Sequence, residues 1–239
     1  MPANYLFNGL VKVEERDFSA EDIGAIYRVI KKRRDVRSFI NKEISDEILQ
    51  RILEAGMHAP SVGYMQPCNF LVIRDISVRK KIHSAFQQAN AEAKEMFSGE
   101  RGELYSSLKL EGILDSSLNI CVTCDRSRFG DVVLGRTCQA DMDLYSAVCA
   151  VQNMWLAARA EGIGIGWVSI IKPEDLQDIL LLPKGVVVIA YLCVGYTKQF
   201  ATEPELKTKG WLPQIDFSDL VFYDKWGNTA KKTIRESRT

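Results

Sequence analysis

Lys31-Lys32-Arg33-Arg34-Asp35-Val36-Arg37 puts five cations into seven residues, where an amphipathic helix runs out. Ser19-Ala20-Glu21-Asp22 opens that helix with a capping-box pattern, and Ile23, Ile26, Tyr27 and Ile30 follow at helical spacing, so a helix is expected over about 20–32. Lys31 and Lys32 suit its last turn, where cations complement the negative end of the dipole. Arg33, Arg34 and Arg37 continue past it into a connection. A guanidinium fork grips phosphate with two hydrogen bonds, and a phosphomonoester carries close to two charges to balance. A solvated helix end with structural ion pairs fits the same residues, and the surrounding chain decides between the two.

The chain of 239 residues is 46% hydrophobic and 26% charged, enough for a substantial core. Its 31 basic and 31 acidic residues cancel, so no global field favours nucleic acid or an anionic membrane. The basic run lacks the interleaved aromatics of a nucleic-acid surface. No apolar stretch approaches a membrane span, and Met1-Pro2-Ala3-Asn4-Tyr5 opens no signal peptide, so a cytoplasmic protein is expected. Cys121-Val122-Thr123-Cys124 has a redox or zinc spacing but lies in a β-branched run, where residues three apart point to opposite faces. With only His58 and His83, no histidine-rich metal site can be assembled.

Residues 1–18 lack a period and read as an arm. Ser45 starts a second helix with Ile48, Leu49, Ile52 and Leu53 on one face; Gly56 marks its end or a close packing contact. His58 to Pro67 is a loop with two prolines near its ends and one glycine inside. It suits a flat heteroaromatic ligand with polar edges, or is an ordinary helix-to-strand connection. A strand is expected from Asn69 to Arg74, a long helix capped by Ser77, and a second strand from Leu118 to Cys124. Between the last two, Ser98 to Gly102 reads as a turn, and Ser107 to Gly112 as a short helical lid or a surface excursion. Met142 to Arg159 is helical and apolar around most of its circumference, as for a central helix or one at a subunit interface. Gly162-Ile163-Gly164-Ile165-Gly166 then feeds a strand expected over Trp167–Ile171. Its spacing and its helix-before-strand order exclude a dinucleotide fingerprint. Pro173 starts a short helix, and Val186 to Val194 is a buried strand. From Thr197 the pattern dissolves into a tail that still carries Trp211, Phe217, Phe222 and Trp226, for which packing on another subunit is a natural home. With no repeat and no low-complexity linker, a single domain over 1–239 is expected.

No phosphate-binding loop, nucleophile elbow or paired-histidine zinc helix is present. An anion grip with glycine-lined walls and few catalytic side chains points to a cofactor that carries the chemistry. Arg33-Arg34-Asp35-Val36-Arg37 resembles the arginine-rich FMN motif of the nitroreductase superfamily; Ala59-Pro60-Ser61 with Gln66-Pro67 resembles its second flavin segment, and Glu161-Gly162-Ile163-Gly164 its third. Aspartate in the arginine motif, the run Ala59 to Pro67, Leu108-Lys109-Leu110-Glu111-Gly112-Ile113, Gly166-Trp167-Val168-Ser169, Tyr191 to Tyr196 and Gly210-Trp211 are similar to one branch, the 5,6-dimethylbenzimidazole synthases. The resemblance spans about residues 20–226; Cys68 departs from it, where tryptophan is expected after Gln66-Pro67.

The resemblance implies an α+β fold with a mainly antiparallel sheet flanked by helices, in an intertwined homodimer with FMN sites at the interface and the 197–239 extension on the partner. It implies that reduced FMN is the substrate and dioxygen the co-substrate, with fragmentation to 5,6-dimethylbenzimidazole, the lower ligand of cobalamin, and erythrose 4-phosphate. A separate NAD(P)H-dependent flavin reductase would supply reduced FMN. Arg33 and Arg37 would hold the phosphate, with Arg34 on the phosphate or the pyrimidine edge; Val36, Ser61, Met65, Gln66, Gly164 and Gly166 would line the flavin. Ser169 would sit near N5, and Asp35 would transfer protons at the ribityl chain. Residues 98–116 would form a lid that excludes water and pyridine nucleotide. Two other readings share the motifs: an FMN-dependent NAD(P)H nitroreductase, and a non-enzymatic flavin carrier.

Overall fold

The computed structural model describes residues 18–229. Most of the expected N-terminal arm and the end of the C-terminal extension lie outside the described residues. Four strands, β1 (Cys68–Ile73), β2 (Leu118–Asp125), β3 (Ile163–Val168) and β4 (Val186–Tyr196), pair antiparallel in the order β1-β2-β4-β3. The α+β architecture with an antiparallel sheet is therefore the observed one.

Both faces of the sheet are covered. Ile120, Val122, Leu192, Val194, Ile163 and Ile165 face one way, onto Met154, Trp155 and Ala158 of helix α5 (Met142–Ala160). Cys121, Tyr191, Cys193 and Val168 face the other way, with Ile82 and Phe86 of α3 (Ile76–Lys94) and Leu176 of α6 (Pro173–Ile179). Alternating strand residues thus serve two cores, which is why these strands read as continuous apolar runs. Each fully buried Ile or Met contributes about 1.5–3 kcal/mol. Cys121 and Cys124 fall on opposite faces, as strand geometry requires.

Helix α1 (Ala20–Lys32) begins with Ser19 and Asp22 bonding reciprocally, and none of its residues is buried. Ser45 caps α2 (Asp46–Met57). Gly56, inside its last turn, lets Met154 and Phe70 approach to where a Cβ would meet them at 2.9 and 3.0 Å. Three expectations change. The cap of α3 is Asp75 rather than Ser77, because its carboxylate accepts from the Ser77 amide at 2.6 Å and the Val78 amide at 3.4 Å. The Ser98–Gly102 turn is the start of a helix, α4 (Gly99–Ser106), whereas 107–112 is not helical. The glycines at 164 and 166 do not precede a strand; they lie inside β3, which ends at Val168. Their place follows from what crosses β3, the arginine segment itself. A last short helix, α7 (Glu205–Thr208), opens the C-terminal extension.

Candidate active site

Beyond α1 the chain turns extended at Arg33, with φ −63° and ψ 136°, and runs along the outer edge of β3. The Val36 amide donates to the Ile165 carbonyl at 3.0 Å, and the Trp167 amide donates to the Asp35 carboxylate at 3.0 Å. One parallel bridge, Asp35 to Ile165, joins the two. The segment thereby occupies edge groups of β3 that would otherwise be unpaired. A Cβ on Gly166 would lie 2.1 Å from the Val36 carbonyl oxygen, and one on Gly164 would lie 2.9 Å from the Val36 methyls. Only glycine at 166 permits that backbone approach.

This crossing fixes the arginines around a cleft of about 290 Å³, lined by Arg33, Arg34, Asp35 and Arg37, by Leu108 to Leu110, and by the 201–206 stretch of the extension. Arg37 donates from Nη2 to the Trp167 carbonyl at 2.6 Å and pairs with Asp35 at 2.5 Å, yet its buried Nη1 has no partner. Arg34 donates to the Lys31, Arg33 and Thr202 carbonyls, while its buried Nε is left without one. Two buried cationic donors without partners are costly, and both belong to side chains that line the cleft. Arg33 lies with its guanidinium 4.8 Å from the centre of the Trp155 ring. Asp35 keeps two fifths of its side chain exposed, but desolvation by the surrounding protein raises its pKa above the ordinary aspartate value. Arg37, the Trp167 amide and Arg33 oppose that shift without cancelling it. The result is a carboxylate of increased basicity held beside the Arg37 guanidinium.

Ser61 to Gln66 forms a separate structure. The Ser61 hydroxyl accepts from the Gln66 amide at 3.0 Å, and the Val62 amide donates to the Ser146 hydroxyl at 3.0 Å. Tyr64 and Gln66 take positive φ, 57° and 48°, which costs backbone energy and has to be held from outside. Arg128 holds it by donating to the Gln66 and Cys68 carbonyls and to the Asn69 side chain. Arg136 contacts the Met65 sulfur at 3.9 Å and is itself fixed by the buried Asp143, which also binds Arg126. Ser61 and Gln66 line a cavity of about 20 Å³ with Cys68, Ser146 and Ala150; no residue lines both this cavity and the arginine cleft.

Arg33, Arg34, Asp35 and Arg37 therefore come together, with Gly164 and Gly166 supporting them from β3. Val36 is buried against that strand. Ser61, Met65 and Gln66 form a second group. Ser169 lies one residue past β3, exposed and outside the lining of the cleft. Of the expected lid, Leu108 to Leu110 reach the cleft, and the segment behind them is pinned by Arg79, which donates to the Ile113 and Ser116 carbonyls. The 201–206 wall and the clamps Arg128 and Arg136 are additions from the structure; an arginine pair in a loop carrying Gly130 and Gly135 is the signal that marks the clamps. Among the described residues, no group of three or more His, Cys, Asp or Glu is arranged to hold a metal ion. No helix among them is long and apolar enough to cross a membrane.

Residues 30–196 match the model of the Nitroreductase family. A 5,6-dimethylbenzimidazole synthase of Rhodospirillum rubrum is 38% identical over 75% of this chain and 85% of that one. A second, from Rhodobacter capsulatus, is 32% identical over 78% and 90%. Among solved structures, iodotyrosine deiodinase bound to FMN and 3-iodo-L-tyrosine superimposes with a TM-score of 0.67, at 20% identity, covering 84% of this chain and 100% of that one. The chain belongs to the Nitroreductase family and, within it, groups with the 5,6-dimethylbenzimidazole synthases.

Proposed function

We propose that this chain is a 5,6-dimethylbenzimidazole synthase, fragmenting reduced FMN with dioxygen to 5,6-dimethylbenzimidazole and erythrose 4-phosphate. The observation that carries the reading is the Arg34–Asp35–Arg37 constellation: two unpartnered buried guanidinium nitrogens beside a carboxylate of raised pKa, on the fold of these synthases. As the substrate, reduced FMN supplies both the carbon skeleton and the electrons that dioxygen takes up. The chain's own contribution is binding, orientation and proton transfer. Arg34 and Arg37, which line the cleft, hold an anionic phosphate, and Arg33 adds charge from its seat on Trp155. Asp35 accepts a proton at the ribityl chain, its carboxylate oriented by the bonds to Arg37 and the Trp167 amide. Leu108 to Leu110 and the 201–206 wall exclude water from the cleft. Ser169, exposed just past β3 and outside the arginine cleft that takes the phosphate, is assigned to the N5 region of the ring.

The working unit is a homodimer. One chain carries an arginine half-site and a Ser61–Gln66 half-site that share no lining residue, which is the arrangement expected if each ligand is completed by a second copy. The apolar stripe of α1 (Ile23, Ile26, Tyr27, Ile30) and the outer face of α5 (Tyr145, Val148) are exposed on the single chain and supply the surface to bury. The extension packs Trp211 on its own α4 region, edge-on to Phe97 at 5.3 Å, whereas Phe217, Tyr223 and Trp226 remain exposed for the partner. A separate flavin reductase supplies reduced FMN.

An NAD(P)H nitroreductase reading is favoured by more distant relatives, such as one from Archaeoglobus fulgidus named a putative NADH dehydrogenase/NAD(P)H nitroreductase, 29% identical over 72% of this chain. One experiment separates the two. The protein is mixed with FMN, NADH and a separate flavin reductase in air, and in parallel with FMN, NADPH and a nitroaromatic alone, and the products of both are chromatographed. Stoichiometric loss of flavin with appearance of 5,6-dimethylbenzimidazole is expected. Repeated turnover of a nitroaromatic with flavin conserved would replace this reading with the second.

A further inference from the structure

Cys68 and Cys124 stand directly opposite each other in the register of β1 and β2. The Asp125 amide donates to the Pro67 carbonyl at 2.8 Å, so the adjacent Pro67/Asp125 position is hydrogen-bonded and Cys68/Cys124 is the non-hydrogen-bonded pair. In such a pair the Cα atoms lie about 4.5 Å apart and both side chains project to one face. Disulfides span Cα separations of about 4.4–6.8 Å, so rotation about side-chain bonds suffices to close one. Cys68 is half-buried and lines the Ser61–Gln66 cavity, whereas Cys124 is sealed behind it. The other buried cysteines are placed differently: Cys121 opposes Leu71 and Tyr191, and Cys193 opposes Asn119 and Gly166. Both Cys68 and Cys124 are free thiols in this structure.

We propose that Cys68 and Cys124 are a reversible disulfide site, closed by exchange with a low-molecular-weight disulfide. The accessible Cys68 thiolate attacks one sulfur of the small disulfide, which expels one small thiolate and leaves a mixed disulfide on Cys68. The Cys124 thiolate then attacks the Cys68 sulfur, and the second small thiolate leaves. Two protein thiols lose two protons and two electrons, and one small disulfide becomes two thiols. Burial pushes Cys68 up to about 11 and Cys124 up to about 12, so thiolate is scarce near neutrality and the exchange is slow there. The site stays open in a reducing thiol pool and closes as the disulfide fraction rises. Closure ties the start of β1, immediately after Gln66-Pro67, to the centre of the sheet, and so couples the redox state to the segment that Arg128 holds.

The test uses the full, reduced chain and glutathione disulfide at pH values from neutral to about 9.5. Each reaction is quenched by alkylation in denaturant, so that every remaining thiol is labelled, then digested without reductant and mapped by mass spectrometry. A Cys68–Cys124 peptide pair is expected, two hydrogens lighter than the reduced sum and released by dithiothreitol. Its rate should rise about tenfold per pH unit. The crosslinked protein should melt roughly 5–10 °C higher. Cys149→Ser should leave the crosslink intact, which separates it from the exposed thiol whose charge Cys68 also feels. Cys124→Ser should stop at glutathione on Cys68. The proposal is overturned if wild-type Cys124 is alkylated in full after treatment at the highest pH, or if Cys68 is found joined to Cys149.

Discussion

Between Arg33 and Arg37 the chain is extended and charged, and it leaves two guanidinium nitrogens buried without partners; between Ser61 and Gln66 it is tightly turned and neutral, and its amides at 62, 64, 65 and 66 are all bonded within the chain. The first segment is held by backbone, through the bridge to β3, and its side chains keep two donors, Arg34 Nε and Arg37 Nη1, unused. The second is held by side chains, Arg128 and Arg136, so that its backbone can keep a strained shape. One half therefore offers charge and hydrogen-bond donors, and the other offers form. A ligand that needs both, a phosphate joined to a flat ring system, is the kind such a pair accommodates.

The sharpest way to break this contrast is Asp35→Asn. Asparagine keeps the acceptor for the Trp167 amide and loses the basicity. FMN binding should stay within a few-fold of wild type, while 5,6-dimethylbenzimidazole formation falls by about 10²–10⁴. Because the pKa of Asp35 is raised, product formation in the wild type should decline on acidification at a pH above the ordinary aspartate range, as the carboxylate takes up its proton. That limb should be missing from the residual activity of the variant. Binding and synthesis falling together would make Asp35 only a strut between arginines.

Arg37→Ala comes next. It removes one unpartnered donor and the partner of Asp35, and should weaken FMN binding by about 1.5–3 kcal/mol, read by flavin fluorescence titration. Arg33→Ala should cost less, since that guanidinium is already engaged with the Trp155 ring. Equal losses for the two would show that the arginines act as diffuse charge rather than as a fitted grip.

The support beneath the grip can be tested without any ligand. Gly166→Ala puts a methyl 2.1 Å from the Val36 carbonyl, a backbone atom that cannot rotate aside, and should destabilise the fold by about 1–3 kcal/mol in urea. Gly164→Ala meets only the Val36 side chain and should cost less. That difference explains what was legible in the sequence and what was not. The arginine cluster stood out because its charges are contiguous, and α1 and α2 because capping serines precede a helical period. The extent of β3 was missed because glycine is poor in strands; only the crossing segment, 130 residues earlier in the chain, explains it. Helix α4 was missed because Gly99 and Gly102 look like a turn, and the clamps because Arg128 and Arg136 sit in a loop without period.

The smallest effect is expected on the side of form. Arg128→Lys keeps the charge near Asp125 but replaces a planar fork, which spans the Gln66 and Cys68 carbonyls and the Asn69 side chain, with a single ammonium. One or two hydrogen bonds to a strained segment should be lost, worth about 1 kcal/mol in total, since water replaces part of them at this half-buried position. The arginine half does not touch this clamp, so phosphate recognition should be unchanged. The loss should appear for FMN and equally for riboflavin, which shares the ring and lacks the phosphate. Arg37→Ala should show the opposite pattern, a large loss for FMN and little for riboflavin. If Arg128→Lys instead discriminated between the two flavins, the segment from Ser61 to Gln66 would be sensing the phosphate end, and the division of the site into a charged half and a shaping half would fail.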